Sequence, residues 1–583
     1  MKKSIFFIIA LSALILSSCS DFLDVTPSGT PTADTYFQND EQAENALKGI
    51  YEPMVDGDDL YGRDILWEQC VGTQMVPGRT RDWPELFCLK WTGDESPLRN
   101  AFEMTYKLMN RANWIVQALL EKEKETALTD VENRSLGEAY FFRAWFHYLT
   151  AYRYGCATNG VPFVYYEDFE GGFDFSIPTQ QATVMEDYEM VIADLKKAEE
   201  RLPSYKSYGT SDLGRACAES ACAFQARVYA YWATWDSSKW SNVVETVNKL
   251  ESTYSRSLNP SYSELFTDDT SKWFNDEYCY AIGCNGGYGA NRAGVEFIGC
   301  VLENKGWGVY NGWGQFKPTY DAYEEFSLDG DRTVNERLAR SMLEYGVEFQ
   351  YNGETMRYYG AQDVETGFQI NKWMDPFAHA DFVDAGYVNE SGGSWPTARV
   401  NFHVIRFADC MLLRAEANLH LGNTSAAASD LNKIRARVGL DQTCKGTWRE
   451  LYHERYCELA YEPMMDHRGD LMRWALAGEG DLKTLAIAEL ENHPRSLFHV
   501  WRDDPDSPVG VGVGANGTET SPSGKVRTHY DSIDLLDGNG VGPYQDYVGL
   551  EGPWASDGHL AVFPYPSQQI SKSAGALTQN PGY

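Results

Sequence analysis

Residues Leu136–Tyr154 read LGEAYFFRAWFHYLTAYRY, with Phe141, Phe142, Trp145, Phe146, Tyr148 and Leu149 placing apolar side chains on nearly every helical face. A helix that is apolar almost all round is buried between neighbours, so this run predicts the centre of a helical stack. Gly155 ends it. The preceding segment supplies one neighbour. From Phe102, apolar residues recur at Met109, Ala112, Val116 and Leu119, and the charged run Glu121–Glu125 closes an amphipathic helix.

The arrangement returns twice. Val184–Arg201 carries Val184, Tyr188, Ile192 and Leu195 on one face, stops at Leu202-Pro203, and is followed by Ala216–Trp235. A third pair spans Ile405–Leu421 and Ser425–Arg437 around Gly422-Asn423, with a further helix over Thr447–Leu459. Repeated pairs of this length read as tetratricopeptide-like units, which stack because one pair cannot bury its own apolar face. The array is interrupted at Asp56–Pro97, Ser255–Ala398 and Arg502–Gly558, all rich in Gly, Pro, Asp and aromatics. Loops of that length are functional or disordered, and their aromatic content argues for order. The fold class is therefore mainly α: a scaffold of helix pairs over about 38–254 and 400–475, carrying a loop-rich irregular lobe with a few short strands.

The chain has 583 residues, 43% of them hydrophobic and 14% aromatic, enough for a large core with aromatic rings to spare. Against 50 basic residues stand 84 acidic ones, a formal net charge of -34. Phosphate backbones are bound by neutralising them, so nucleic acid is excluded as a partner class, whereas an uncharged ligand feels no repulsion. Lys2 and Lys3 lead an apolar run, Ile5–Leu16, that is too short to span a bilayer and reads as an export signal over residues 1–18. Of the 12 cysteines, Cys19 follows this signal directly and the others are scattered. Cys279 with Cys284 and Cys217 with Cys222 are testable disulfide pairs, but small buried thiols are the favoured reading.

Motifs for catalysis are lacking. The chain has no Gly-x-Ser-x-Gly elbow, no His-Glu-x-x-His helix and no Gly-Lys-Ser/Thr phosphate loop, and Gly512–Gly517 matches the dinucleotide pattern without a flanking strand or helix. No cofactor or metal is implied; His453 and His467 lack spaced ligand partners and are read as structural. Some pair among 84 acidic residues always looks plausible for glycoside hydrolysis, which the sequence therefore neither supports nor excludes. Aromatic residues beside glycines say more. Trp307, Tyr310, Trp313 and Phe316 lie in GWGVYNGWGQF, and Trp83 and Trp91 lie in the first long loop. A flat indole or phenol stacks on the apolar face of a pyranose while Asn311, Arg79, Arg81 and Asp82 are placed to bond its hydroxyls.

These residues resemble the SusD/RagB family of surface lipoproteins. Leu16-Ser-Ser-Cys19 resembles a lipobox, and Asp21-Phe-Leu-Asp24, Thr35-Tyr-Phe37 and Ala43–Tyr51 look like the family's opening. Tyr106–Ile115 and Glu138–Phe146 resemble its first long helices. The most specific stretch is Arg406–Leu440, continued by Glu454-Arg455, Glu458-Leu459, Glu462, Arg468, Asp470-Leu471 and Arg473-Trp474, and the chain closes with Phe563-Pro564 and Gln579–Tyr583. Pro463–Asp466 departs from the family's usual approach to its Arg. The helical motifs read as scaffold, since Arg, Asp and Glu at such spacing pair and cap helices. The resemblance implies four tetratricopeptide-like units, one domain over 19–583, a lipid on Cys19 that holds the chain on the exterior of the outer membrane, and no catalysis. It further implies capture of an oligosaccharide or polysaccharide for a SusC-like TonB-dependent transporter. Import of peptides or other non-sugar nutrients is the alternative, and a surface glycoside hydrolase the more distant one. Ligand residues in this family share no portable motif, so the contact set Trp83, Trp91, Trp307, Tyr310, Asn311, Trp313 and Arg81 rests on the residues themselves.

Overall fold

A computed structural model describes residues 36–56, 70–77, 89–169, 180–267, 269–283, 316–344, 347–351, 354–357, 368–373, 400–462, 467–491 and 557–583, with a few isolated positions and short strands besides. The first helices are α1 (Asp40–Asp56), α2 (Ser96–Glu125), α3 (Asp130–Tyr154), α4 (Val184–Arg201), α5 (Ala218–Ala233) and α6 (Trp240–Ser252). Each of α2 to α5 packs on the next in the chain, and α1 lies against α2 and α3. Two short helices follow, α7 (Tyr320–Ser327) and α8 (Glu336–Ser341). The second helical block holds α9 (Phe407–His420), α10 (Thr424–Arg437), α11 (Trp448–Leu459), α12 (His467–Ala477) and α13 (Asp481–Leu490), and α14 (Ser567–Lys572) lies near the C-terminus. α9 joins the two blocks by packing on α5 and α6 as well as on α10 and α11.

As its composition requires, α3 is buried along most of its length. Trp145 stacks on Phe146 at 5.4 Å and meets Phe224 of α5 at 5.5 Å and Tyr280 at 5.4 Å. Its start is fixed by a reciprocal cap in which Thr129 Oγ1 accepts from the Glu132 N–H while the Glu132 carboxylate accepts from the Thr129 N–H. Gly155 ends it for a reason of space. Its φ of -88° suits any residue, but a Cβ there would sit 2.7 Å from Val184 Cγ2 and from the Ala151 carbonyl oxygen.

The strands are β1 (Met75–Pro77), β2 (Tyr278–Ile282), β3 (Phe316–Pro318), β4 (Met342–Glu344), β5 (Glu348–Tyr351), β6 (Glu354–Arg357), β7 (Phe368–Ile370) and β8 (Phe402–Arg406), with two more pairing near the C-terminus. Among the described residues every sheet is a two-stranded antiparallel ladder, β1 with β3, β2 with β8, β4 with β7 and β5 with β6. Mainly helical architecture with small sheets is thus observed as expected, with one correction. Ile405, read as the start of a helix, is strand: β8 continues through Arg406, and α9 begins at Phe407. Its apolar run fits either structure, and pairing with β2 settles it.

A buried ionic hub joins the lobe to the scaffold. Arg406 donates to Glu277 at 2.6 Å, Glu458 at 2.7 Å and Glu462 at 2.8 Å; Arg437 pairs with Glu277 and Glu458; Lys372 donates to Glu462 at 2.7 Å. Burial alone would raise the Glu458 carboxyl, but Arg437, Arg406 and Arg337 hold it well below the usual carboxylate range. Burial lowers Lys372 to about 8 despite Glu462 beside it. The cysteines Cys217, Cys222 and Cys279 are buried free thiols, and Cys217 and Cys222 contact different carbonyls, of Cys279 and Thr246. Cys284 lies outside the described residues.

Candidate functional site

One face of α1 presents Glu44, Leu47, Lys48, Tyr51 and Met54, the helical i, i+3, i+4, i+7 series, toward the turn at 210–215 and the short helical turn Thr270–Lys272. Between them lies a cleft of about 930 Å³ floored by Tyr280, Ile282 and Gly283, where β2 ends. That size falls in the range of small-ligand sites. The floor is apolar. Phe274 stands half-buried in the wall, its ring 5.1 Å from that of Tyr278, and Gly214 leaves the space in front of it open. With φ at +95°, Gly214 holds a conformation that a larger residue would adopt only under strain.

The polar wall is a closed charge network. Arg215 donates from Nη1 to Glu138 at 3.0 Å and from Nη2 to Glu44, and its Nε pairs with Asp212 at 2.9 Å. Arg134 engages the same three carboxylates from the other side. The Tyr51 hydroxyl donates to Glu138 and accepts from the Ala216 N–H. Burial raises the Glu138 carboxyl above its ordinary value, against the pull of Arg215. Lys48 is exposed at the rim and donates to Asn45 at 2.9 Å. The arrangement can hold a ligand by shape, ring stacking and hydrogen bonds at the rim. Among the described residues its carboxyls are engaged: Glu138 is sealed beneath Tyr51 and Arg215, and Glu44 is paired with Arg134 and Arg215.

Of the contact set anticipated from sequence, Trp91 lies among the described residues, and its placement corrects the expectation. It is 4% exposed, packs edge-on against Phe563 at 4.8 Å, lies under the Arg468 guanidinium and donates its indole N–H to Tyr583. A ring so enclosed offers no face to a sugar. Phe316 is likewise buried, in β3. Trp83, Arg81, Arg79, Asp82, Trp307, Tyr310, Asn311, Trp313 and Cys19 lie outside the described residues, as do Gly512–Gly517 and Pro463–Asp466. Sequence reasoning passed over Glu44, Lys48, Tyr51, Arg215 and Phe274. The spacing of the first three on α1 was a usable signal; Arg215 and Phe274 sit in short turns without periodicity.

Asp329, His453 and Glu454 have ligand atoms close enough for a metal ion, but guanidinium groups already fill the space. Arg337 donates to Asp329 at 2.8 Å and to Glu454 at 2.7 Å, and Arg435 pairs with both. His453 lies between Glu325 at 2.7 Å and Asp329 at 2.9 Å, and His467 meets Glu489 at 2.7 Å, so both imidazoles have the structural partners expected of them.

Residues 264–583 match the model of the SusD family, and residues 21–230 match a model described as starch-binding associating with outer membrane. SusD-like protein P38 of Formosa agariphila is 25% identical over 486 residues, covering 77% of this chain and 85% of that protein. Among solved structures, a SusD-like protein from Bacteroides fragilis superposes with a TM-score of 0.67 at 19% identity, over 94% of this chain and 98% of the other. A laminarin-binding SusD-like protein gives 0.64 at 19% identity, over 94% and 100%. At these identities the structural likeness speaks for the fold.

Proposed function

The chain belongs to the SusD family, and from that membership we propose a surface-exposed lipoprotein that captures oligosaccharide and delivers it to a SusC-like TonB-dependent outer-membrane transporter. The observation that carries this reading is the reach of the likeness, over residues 21–230 and 264–583. In this reading residues 1–18 are removed, acyl chains on Cys19 rest the protein on the outer leaflet, and residues 19–583 act as one domain. The relative that binds laminarin supports a glycan as cargo. Contacts are proposed for Trp83, Arg81, Trp307, Tyr310, Asn311 and Trp313, in the sequence segments that follow β1 and β2. In this reading the protein binds without bond cleavage: glycoside hydrolysis needs a carboxyl at the glycosidic oxygen, and in the cleft Glu138 is buried while Glu44 is held by Arg134 and Arg215.

The mature chain is expected to be retarded in gels containing at least one polysaccharide, to co-purify with a barrel transporter from outer membranes, and to release no shortened products. Cys19→Ala should leave the membrane fraction. A chain that still recovers its transporter but binds peptides and no member of a broad glycan panel would remove the sugar from this reading and keep the import role.

A further inference from the structure

We infer that the cleft between α1, the 210–215 turn and β2 receives an uncharged sugar ring and discriminates against carboxylated or sulfated ones. This rests on the glycan-capture reading and adds the place and the charge class of the ligand. Ligand anions are held by cations whose charge is not already neutralised. In this cleft Arg215 gives its Nη1, Nη2 and Nε to Glu138, Glu44 and Asp212, and Arg134 is turned to the same three groups. Cations near the opposite wall are spent as well: Lys272 pairs with Glu264 at 3.1 Å and Lys206 with Asp276 at 3.6 Å. Lys48 reaches the rim, but Glu44 and Glu52 flank it one helical turn away on either side. A ligand carboxylate or sulfate placed against Arg215 would lie beside Glu44 and Asp212 and meet their repulsion at close range. Hydroxyl groups meet no such cost.

Phe274 stands beside the opening that Gly214 leaves, and with the half-buried Leu213 it offers an apolar surface to the C–H face of a pyranose. Lys48, Thr210 and Ser271 stand at the exposed rim, where donors and acceptors can reach equatorial hydroxyls.

The test is calorimetry on the mature chain with laminarihexaose, maltohexaose and xylohexaose as uncharged probes, and hexagalacturonic acid and a heparin hexasaccharide as anionic ones. At least one uncharged probe should bind, weakened roughly tenfold or more by Phe274→Ala and by Thr210→Trp, which fills the cleft from an exposed turn. Unchanged circular dichroism confirms that the variants fold. Tighter binding of an anionic probe, with steep loss on adding salt, overturns the charge class. Uncharged binding that survives both substitutions but is lost in Trp307→Ala overturns the cleft and leaves glycan capture intact. Binding of none of the probes counts against glycan capture itself, and this inference falls with it.

Discussion

Arg406 is the residue whose role is most sharply defined by its surroundings. Its guanidinium meets Glu277, Glu458 and Glu462 in the buried interior, so removing it leaves three buried carboxylates with only Arg437, Arg337 and Lys372 to balance them. Breaking a buried pair from one side costs roughly 3–5 kcal/mol, and Arg406→Ala is expected to lose at least that much, read from the shift in urea midpoint. Arg406→Met, which keeps most of the volume, should lose a similar amount because the cost lies in the uncompensated charge. His453 gives a second prediction, with a sign. Burial by itself would lower its pKa, but the Cys457 sulfur and the carboxylates of Asp329 and Glu325 hold it well above 6.5. A histidine raised on folding contributes its full stabilisation below the unfolded value and loses it as pH rises through the folded one. Its partners Glu325 and Asp329 are depressed, so their contribution is present above about pH 4 and is lost as pH falls below it. His453→Gln should therefore destabilise most between about pH 5 and 6, and markedly less at pH 9, in denaturant titrations at each pH.

At the scale of elements, α3 shows how a start signal and a packing pattern act together. Thr129 caps the helix, and its hydroxyl also donates to Asp40 at 2.6 Å, tying α3 to the first turn of α1. Thr129→Ala is expected to cost about 1–2 kcal/mol, and Thr129→Ser to restore most of it, both read from thermal or urea unfolding. Helices like this one were legible in the sequence because their signals are local: Gly155 and Leu202-Pro203 mark ends, and the apolar period of α4 is unbroken from Val184 to Ala198. The end of β8, Ile405 and Arg406, was misread as the start of a helix because five buried residues in a row carry no period, and the partner that makes them a strand lies more than a hundred residues away in β2. The cleft was hidden for the same reason. Its walls come from α1, a turn near 214 and the end of β2, and no segment of sequence announces that these meet. Trp91 fails in the opposite direction: a tryptophan in a Gly- and Pro-rich loop reads as exposed until Phe563 and Tyr583, from the far end of the chain, close over it.

Among the described residues, such long-range closures hold the joints, and that bears on how the chain unfolds. The hub around Arg406 draws on β2's approach at Glu277, on Arg337 of α8, on Lys372 after β7, on Arg437 of α10 and on Glu458 of α11, so lobe and scaffold share one set of buried charges. The C-terminus is sewn into the first block in the same way, with Asn580 donating to the carbonyls of Tyr154 and Phe563. If lobe and scaffold separated, each would carry away part of an unbalanced charge cluster. That cost exceeds the few kcal/mol by which a partly folded form usually lies below the unfolded one. The mature chain is therefore expected to unfold in a single cooperative step, with far-ultraviolet dichroism and tryptophan fluorescence tracing superimposable urea curves and one calorimetric peak. Arg406→Ala, by weakening the shared cluster, should separate the two curves. Curves that already diverge in the unsubstituted chain would mean that the lobe folds on its own and that residues 19–583 are more than one unit.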